Sequence, residues 1–335
     1  MPRQPLPSKI LPDEGHFVGR ENQLAHLSAL VSENKLVVIE GLSGIGKTAL
    51  ALCYVYQNAG DYEAVAWCEI EPGESAGSVL ARIAAQLNEQ GYDKLLDAVT
   101  DPKLDRRKRA RALLDVLRET RTLLVLDAFN NCLERDYRVR EDLSWLVNQL
   151  LRRTYPSRVL LTTKVKPKFS PADLEKYAAW QLTGLEYREA TALFDKLCAE
   201  IDHEAEPEQV ALVCRTAGGH PFTIKIVVGL LYQGHLLQSL LDPMRKLVVD
   251  GYGEFLLDLF YTRLTRGARR LLEACAVYRR PVKLAAIQKL PAEPALMDQL
   301  LPCFLLELER RSRRYYMHTI VREYAYDKLA RNPER

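Results

Sequence analysis

The stretch that most constrains the fold is residues 41–48, G-L-S-G-I-G-K-T, which lies between a short apolar run and a helical pattern. It matches G-x-x-x-x-G-K-[ST] in full. The glycines allow a curled backbone whose N–H groups point at an anion, and the following helix directs its positive end to the same place. Lys47 offers a charge to terminal phosphates, and Thr48 offers a hydroxyl to Mg²⁺. The sequence therefore predicts that the chain binds a nucleoside triphosphate or its product.

Length and composition narrow the remaining possibilities. With 335 residues, 47% hydrophobic and 27% charged, the chain is expected to form two or three ordinary folded domains. No apolar run reaches the roughly 18 residues of a membrane span, and the first residues lack a secretory h-region, so we expect a cytoplasmic protein with no membrane partner. The seven cysteines form no C-x-x-C pair, so we expect reduced thiols rather than disulfides or zinc.

The residues before the glycine-rich stretch suggest a contact with the base of the nucleotide. Residues 1–12 contain four prolines and are expected to form an extended arm. The run Phe17-Val18-Gly19-Arg20 follows, roughly 20 residues before the phosphate loop. From there, backbone groups of Val18 and the side chain of Arg20 can read the adenine edge.

Residues 122–127, T-L-L-V-L-D, predict a buried parallel strand that ends in a carboxylate. Such a strand delivers its last residue to the carboxyl edge of the sheet, where Asp127 can hold Mg²⁺ through water. The next residue is Ala128, so a second acid that would polarise the attacking water is missing from this place. Asn130, Asp136 or a residue elsewhere in the chain could orient that water.

Residues 157–164 predict a further strand of the same sheet, which ends in polar and cationic residues. Thr162 or Thr163 can sense the γ-phosphate or the attacking water, and Lys164 can bond the γ-phosphate directly. The alternative interpretation is a strand that simply runs into a basic loop. Two more strands are expected at 64–70 and 180–182.

From residue 186 the apolar period becomes helical. Pro221 starts one of these helices and can pack against sugar or base, although a helix-starting proline without such a role has the same sequence. Near the C-terminus, helices are followed by two short strands around the basic turn 310–314 and by a final helix, the outline of a winged helix. His318 lies where the second of these strands passes into the final helix.

Together these segments resemble the NB-ARC family and the related bacterial STAND NTPases. The resemblance is carried by seven motifs in order: F-V-G-R at 17–20, the Walker A loop at 41–48, the Walker B strand L-L-V-L-D at 123–127, L-L-T-T-K at 160–164, L-T-G-L at 182–185, G-H-P-F at 219–222 (similar to G-L-P-L) and M-H-T at 317–319 (similar to M-H-D). Three positions depart from the family pattern: Ala128 replaces an acid, Lys164 an Arg, and Thr319 an Asp.

The resemblance implies a P-loop α/β domain with a parallel sheet, a small helical domain and a winged-helix domain. The corresponding boundaries are 1–16 for the arm, 17–184, 185–250 and 251–335. The nucleotide-binding residues would be Val18, Arg20, Gly44, Ile45, Gly46, Lys47, Thr48, Ala49, Pro221 and His318. Lys47, Asp127 and Lys164 would serve hydrolysis, and Thr48 and Asp127 would hold Mg²⁺.

The function implied by the resemblance is that of a molecular switch. ADP would be held between the NTPase and winged-helix domains, with His318 at its β-phosphate, and ATP would drive opening and self-association. Hydrolysis is expected to be slow because of Ala128. No repeat period appears in the sequence, so effector and sensor partners are expected outside this chain.

Two other classes of protein stay open at this point. A DNA-binding regulator is suggested by residues 261–335, which carry 16 Lys and Arg against 8 Asp and Glu, although no helix with exposed base-reading residues stands out. An ordinary metabolic ATPase or kinase would also use the phosphate loop, but no acceptor-substrate site or fixed base is visible.

Overall fold

The structure, a computed structural model, describes residues 17–241, 254–309 and 312–331. The expected N-terminal arm and residues 310–311 of the basic turn lie outside these ranges. Tertiary contacts divide the chain into two compact units. Among the described residues, the first unit holds Arg20–Leu42 and Lys47–Leu182, and the second holds residues 17–19, Ser43–Gly46 and those from Thr183 onward.

The first unit is built on a five-stranded sheet. Its strands are β1 (Leu36–Glu40), β2 (Ala64–Glu69), β3 (Thr122–Asp127), β4 (Arg158–Thr163) and β5 (Ala178–Gln181). Their order is β2-β3-β4-β1-β5, and every neighbouring pair is parallel. Strands covered on both faces are apolar almost throughout, which is why the short apolar runs of the sequence were sufficient to locate them. The predicted parallel α/β sheet is confirmed.

Helices cover both faces of this sheet. They are α1 (Glu21–Glu33), α2 (Lys47–Asn58), α3 (Ala76–Asn88), α4 (Asp93–Thr100), α5 (Arg106–Glu119) and α6 (Glu141–Arg152). One core cluster joins alternate strand residues such as Val38, Leu124 and Leu161 to the apolar sides of α3 to α6. Because successive strand residues point to opposite faces, the intervening strand residues face α1 and α2. Helix α4 was not predicted from the sequence.

The strand order fixes where the candidate site can form. β4 lies between β1 and β3, with Glu40 of β1 paired to Thr163 and Leu126 of β3 paired to Leu161. In a parallel sheet the carboxyl ends of neighbouring strands share one edge. The turn after β1, the end of β3 and the end of β4 therefore come together at that edge.

The second unit is mostly helical. It contains α7 (Tyr187–Glu200), α8 (Pro207–Thr216), α9 (Pro221–Tyr232), a helical segment at 237–241, α10 (Glu254–Arg263), α11 (Arg266–Cys275), α12 (Leu284–Ile287) and α13 (Thr319–Ala330). Three short strands, β6 (Val282–Lys283), β7 (Glu307–Glu309) and β8 (Arg314–Tyr316), form an antiparallel sheet in the order β6-β8-β7. The sequence predicted β7 and β8 but not the two-residue strand β6.

One hydrophobic cluster runs through the second unit, from Leu185 to Ala325. It includes side chains on both sides of residue 250, where the sequence analysis placed a domain boundary. The division into a small helical domain and a winged helix stays a prediction. In the described part of the chain, no helix is both long enough and apolar enough to cross a bilayer. All seven cysteines are unpaired thiols, as expected.

Candidate nucleotide-binding site

The phosphate loop follows β1, which ends at Glu40, and its last two residues, Lys47 and Thr48, already belong to α2. Gly44 and Gly46 have φ angles of 80° and 102°, a region that favours glycine. A Cβ atom added to Gly46 would meet no other atom within 4 Å. The curled backbone, the open space beside Gly46 and the start of a helix together fit a bound phosphate group.

Lys47 is a nearly buried cation with 9% of its surface exposed. Its Nζ donates to the carbonyl oxygens of Gly41 and Leu42, each at 2.8 Å. Burial lowers the pKa of Lys47 to about 8; the charge of Asp127 opposes this change, and the charge of Lys164 adds to it. A phosphate group near Nζ would favour the charged form of the ammonium and so fits this position.

Asp127 lies at the end of β3 and is 2% exposed. Its Oδ1 accepts hydrogen bonds from the hydroxyl of Thr48, at 2.8 Å, and from the hydroxyl of Thr162, at 2.5 Å. The two residues expected to hold Mg²⁺, Thr48 and Asp127, are therefore in direct contact. A hydroxyl and a carboxylate are oxygen ligands of the kind that Mg²⁺ prefers, and the ion would draw phosphate oxygens towards itself when it is bound with a nucleotide.

At the end of β4, the structure distinguishes Thr162 from Thr163, both of which the sequence analysis considered as sensors of the γ-phosphate or the attacking water. Thr162 contacts Asp127, and its Oγ1 also accepts from the backbone N–H of Ala128 at 3.0 Å. The hydroxyl of Thr163 instead donates to the carbonyl oxygen of Val165 at 2.8 Å. Thr162 is thus the one of the pair that is positioned beside the predicted metal ligands.

The residues after Asp127 show what stands in place of a second acid. Ala128 adopts a left-handed backbone conformation with φ of 57°. Asn130 stays at the sheet edge, where its Oδ1 accepts from the backbone N–H of Lys164 at 3.2 Å. Asp136 accepts from the backbone N–H of Arg138 in an exposed loop. Of the two side chains considered for orienting water, Asn130 is therefore the one next to the exposed side chain of Lys164.

The two predicted base-side residues belong to different units. Val18 packs against the hydrophobic core of the second unit. Arg20 is 3% exposed, immediately precedes α1 and has a φ of 73°. Non-glycine residues rarely adopt this conformation, which costs roughly 1 kcal/mol or more and is often found at functional sites.

Within the second unit, the loop segment Ser43–Gly46 packs against the start of α9. The carbonyl oxygen of Ser43 is 2.9 Å from Nε2 of His220. A Cβ atom on Gly44 would lie 2.6 Å from Cβ of Phe222 and 3.0 Å from Cδ1 of Ile320. Ile45 is buried, and Pro221 is the first residue of α9. The phosphate-loop segment is thus adjacent to the start of α9, where Pro221 is expected to pack against the sugar or base.

His318 is at the start of α13 and completes this cluster. Its ring stacks on that of Phe222 with 4.5 Å between centroids, and its Nδ1 accepts from the backbone N–H of Ile320 at 3.3 Å. Burial, together with the charges of Lys225 and other cations, lowers the pKa of His318 well below its usual range, while Glu307 opposes the shift. The imidazole is therefore neutral near pH 7.

Sequence reasoning missed two features of the second unit. It did not assign a role to His220, because its bond to Ser43 spans 177 positions of the chain. It also missed a buried ion pair between Lys225 and Glu307, whose Nζ and Oε2 atoms are 2.6 Å apart. The run F-L-L-E-L at 304–308 indicates that Glu307 has a partner, since a single acid among apolar residues needs one when it is buried. The described part of the basic turn, 312–314, is exposed.

Comparisons with known proteins agree with this geometry. The sequence profile described as "NB-ARC domain" matches residues 21–204. A curated relative, an uncharacterised WD repeat-containing protein from Nostoc sp., is 26% identical in an alignment that covers 83% of this chain and 23% of the relative. The chain thus spans about a quarter of that protein's length.

Two solved structures share the fold. One is a STAND protein, a Signal Transduction ATPase with Numerous Domains, from Pyrococcus horikoshii, which has a tetratricopeptide repeat sensor. Its TM-score is 0.61 at 20% identity, over 96% of this chain and 44% of that one. The other is a Walker-type ATPase of Pyrococcus abyssi, with a TM-score of 0.53 at 15% identity over 96% of this chain and 99% of that one.

Proposed function

The chain belongs to the NB-ARC family, and from that premise we propose that it is a nucleotide-operated switch. Membership implies that it binds a nucleotide at the P-loop, typically with Mg²⁺. In the proposed cycle, bound ADP stabilises a closed state through His318 and the phosphate loop. Exchange for ATP removes this stabilisation, the protein opens, and an exposed surface supports self-association.

The observation that carries the proposal is the position of Phe222 in the second unit. Its Cβ lies 2.6 Å from the point where a Cβ of Gly44 would be, and its ring stacks on His318. Phe222 is therefore a neighbour both of Gly44, in the phosphate loop, and of His318, which is expected at the β-phosphate. Because Nδ1 of His318 accepts a backbone hydrogen bond, the neutral ring carries its proton on Nε2, which is a suitable donor to a phosphate oxygen.

Slow hydrolysis is part of the proposal. Asp127 and Thr48 supply the groups expected for Mg²⁺, but Ala128 follows where a water-polarising acid would stand. Lys164 and Asn130 lie at the same sheet edge, and neither side chain is a carboxylate. A nucleotide that is hydrolysed slowly can mark a long-lived state, as a switch requires.

We further propose that the signal reaches this chain from a sensor. The STAND protein of Pyrococcus horikoshii has a tetratricopeptide repeat sensor, and the Nostoc relative is named for its WD repeats. By analogy, a repeat domain would act on this module, either in the same polypeptide or as a partner.

Release and chromatographic identification of the nucleotide that co-purifies with the protein tests the proposal. We expect near-stoichiometric ADP in the wild type and none in Lys47→Met, which keeps the side-chain volume but removes the charge. His318→Ala should release a fluorescent ADP analogue about tenfold faster, since it removes one hydrogen bond to a charged group. Protein that purifies without nucleotide, or unchanged release from His318→Ala, would contradict the switch.

A further inference from the structure

We propose that His220 is a positioning residue that sets the direction of the Gly44 N–H group in the phosphate loop. The inference rests on the proposed function, because that N–H group is one of the donors that would meet a phosphate oxygen. His220 lies outside the set of nucleotide-binding residues considered above. All the contacts that carry the inference are within the second unit.

The hydrogen bonds of His220 define which ring nitrogen carries the proton. Nδ1 is 3.2 Å from the backbone nitrogen of Thr223 and 3.0 Å from the hydroxyl oxygen of the same residue. A backbone N–H can only donate, so Nδ1 accepts and is unprotonated in the neutral ring. The proton is then on Nε2, and Nε2–H donates to the carbonyl oxygen of Ser43 at 2.9 Å.

That single bond determines the orientation of a whole peptide group. The peptide between Ser43 and Gly44 is planar and trans, so its C=O and N–H point in opposite directions. When His220 holds the C=O of Ser43, the N–H of Gly44 must point away from His220. Gly44 has a φ of 80°. Without the bond to His220, its backbone could rotate more freely than that of any other residue type.

His220 is itself held in place by the surrounding backbone. It is 2% exposed, and the preceding residue, Gly219, accepts a hydrogen bond from the backbone N–H of Leu185 at 2.8 Å. The two backbones are so close that a Cβ on Gly219 would lie 2.0 Å from the carbonyl oxygen of Leu185. The donor that orients the loop is therefore attached to a rigid support.

A pre-set N–H direction lowers the entropy that a ligand must remove when it binds. Without the bond to His220, the Ser43–Gly44 peptide would sample several orientations, and the nucleotide would have to order it. Affinity should then fall and release should accelerate, while the fold of the second unit is unchanged. The expected size corresponds to one hydrogen bond, roughly three- to tenfold.

His220 also caps the start of α9, because its side chain accepts the backbone N–H of Thr223. Two variants separate the positioning role from this capping role. In His220→Asn, the side-chain oxygen replaces Nδ1 and keeps the cap, for which Asn is among the preferred residues, but the side chain is too short to reach Ser43. In His220→Gln, the amide nitrogen replaces Nε2 and keeps the donor, while the cap is lost. The measurements are the Kd and release rate of a fluorescent ADP analogue, the melting temperature, and the amide signal of Gly44 in protein labelled with ¹⁵N-glycine.

We expect His220→Asn to bind three- to tenfold more weakly at an unchanged melting temperature, with a shifted Gly44 signal. His220→Gln should keep the wild-type Kd at a lower melting temperature. Wild-type binding by His220→Asn, or parallel losses of affinity and stability in both variants, would overturn the inference. Failure of the wild type to bind any nucleotide would instead remove the proposed function, and an unmoved Gly44 signal in nucleotide-free His220→Asn would still reject the positioning role.

Discussion

Two buried carboxylates, one in each unit, show how similar burial can serve different purposes. Asp127 in the first unit is 2% exposed, and Glu307 in the second unit is 5% exposed. Asp127 accepts from the hydroxyls of Thr48 and Thr162. Glu307 accepts from the ammonium of Lys225 at 2.6 Å and from the hydroxyl of Tyr316 at 3.0 Å.

The difference between their partners separates a candidate metal site from a structural ion pair. The hydroxyl of Thr48, which donates to Asp127, is itself an oxygen ligand of the kind that Mg²⁺ prefers, so these two side chains offer neighbouring oxygens to the ion. The ammonium of Lys225 neutralises Glu307, which occupies an antiparallel strand rather than the carboxyl edge of a parallel sheet. Burial of an acid is therefore a weak indicator of function until its donors are known.

The largest effect that we expect is on the structural pair. Lys225→Met retains the apolar stem but leaves Glu307 buried without its cation, so the free energy of unfolding should fall by about 3 kcal/mol or more. Urea unfolding followed by circular dichroism would measure this change. Arg118→Met is the matched control, because Arg118 and Asp115 form an exposed pair at 3.8 Å. Its expected change is below about 0.5 kcal/mol. Equal effects of the two substitutions would remove the contrast with Asp127.

Asp127→Asn tests the other side of the comparison. Asparagine keeps an oxygen for the hydroxyls of Thr48 and Thr162, so we expect the free energy of unfolding to change by less than about 1 kcal/mol. We expect the gain in ATP affinity that Mg²⁺ provides to fall about tenfold or more, because a charged oxygen ligand is lost. Titrations of ATP with and without Mg²⁺ would measure it. Asp136→Asn, at an exposed loop carboxylate, is the control. A large loss of stability with intact Mg²⁺ dependence would make Asp127 a structural residue like Glu307.

The same contrast explains how much of the molecule could be predicted from the sequence. Asp127 could be located because it ends a buried strand, and the phosphate loop because it directly follows one. Parallel strands bring their carboxyl ends to one edge. The strands were predicted from apolar runs, and the resemblance to the NB-ARC family implied a parallel sheet. Strand β6 has two residues and could not be predicted, since so short a segment has no period.

In the second unit the sequence located helices but not their side-chain partners. The roles of His220 and Glu307 depend on residues 177 and 82 positions away in the chain. No local pattern encodes such contacts, which form only when distant parts of the chain pack together. His318 could be proposed only because the motif M-H-T resembles a known one.

The third prediction concerns the pH dependence of stability, which should come from the second unit. The folded protein holds the pKa of His318 below its ordinary value near 6.5, so the unfolded chain binds the proton first. Stability from this source is fully present above about pH 6.5 and is lost as pH falls towards the folded pKa. Between pH 7.5 and 5 we expect a loss of roughly 1 to 2 kcal/mol.

His318→Asn should remove most of that loss, because asparagine can still accept the backbone N–H of Ile320 and does not titrate. Urea unfolding of both proteins at pH 7.5 and pH 5 measures the difference between their pH dependences. An identical fall in the two proteins would assign the pH dependence to other groups and would contradict a neutral His318 at pH 7.

The smallest expected effect is the uptake of a fraction of a proton by Lys47, in the first unit, when a nucleotide binds. Burial lowers the pKa of Lys47 to about 8, so at pH 8.5 most of the free protein has a neutral amine. A bound phosphate group restores the charge, and about half a proton or more should be taken up per ADP bound. Calorimetry in two buffers of different ionisation enthalpy gives this number directly. Lys47→Arg is the control, since arginine stays charged and should show no uptake. Equal uptake by both proteins would mean that Lys47 is already protonated before the nucleotide arrives.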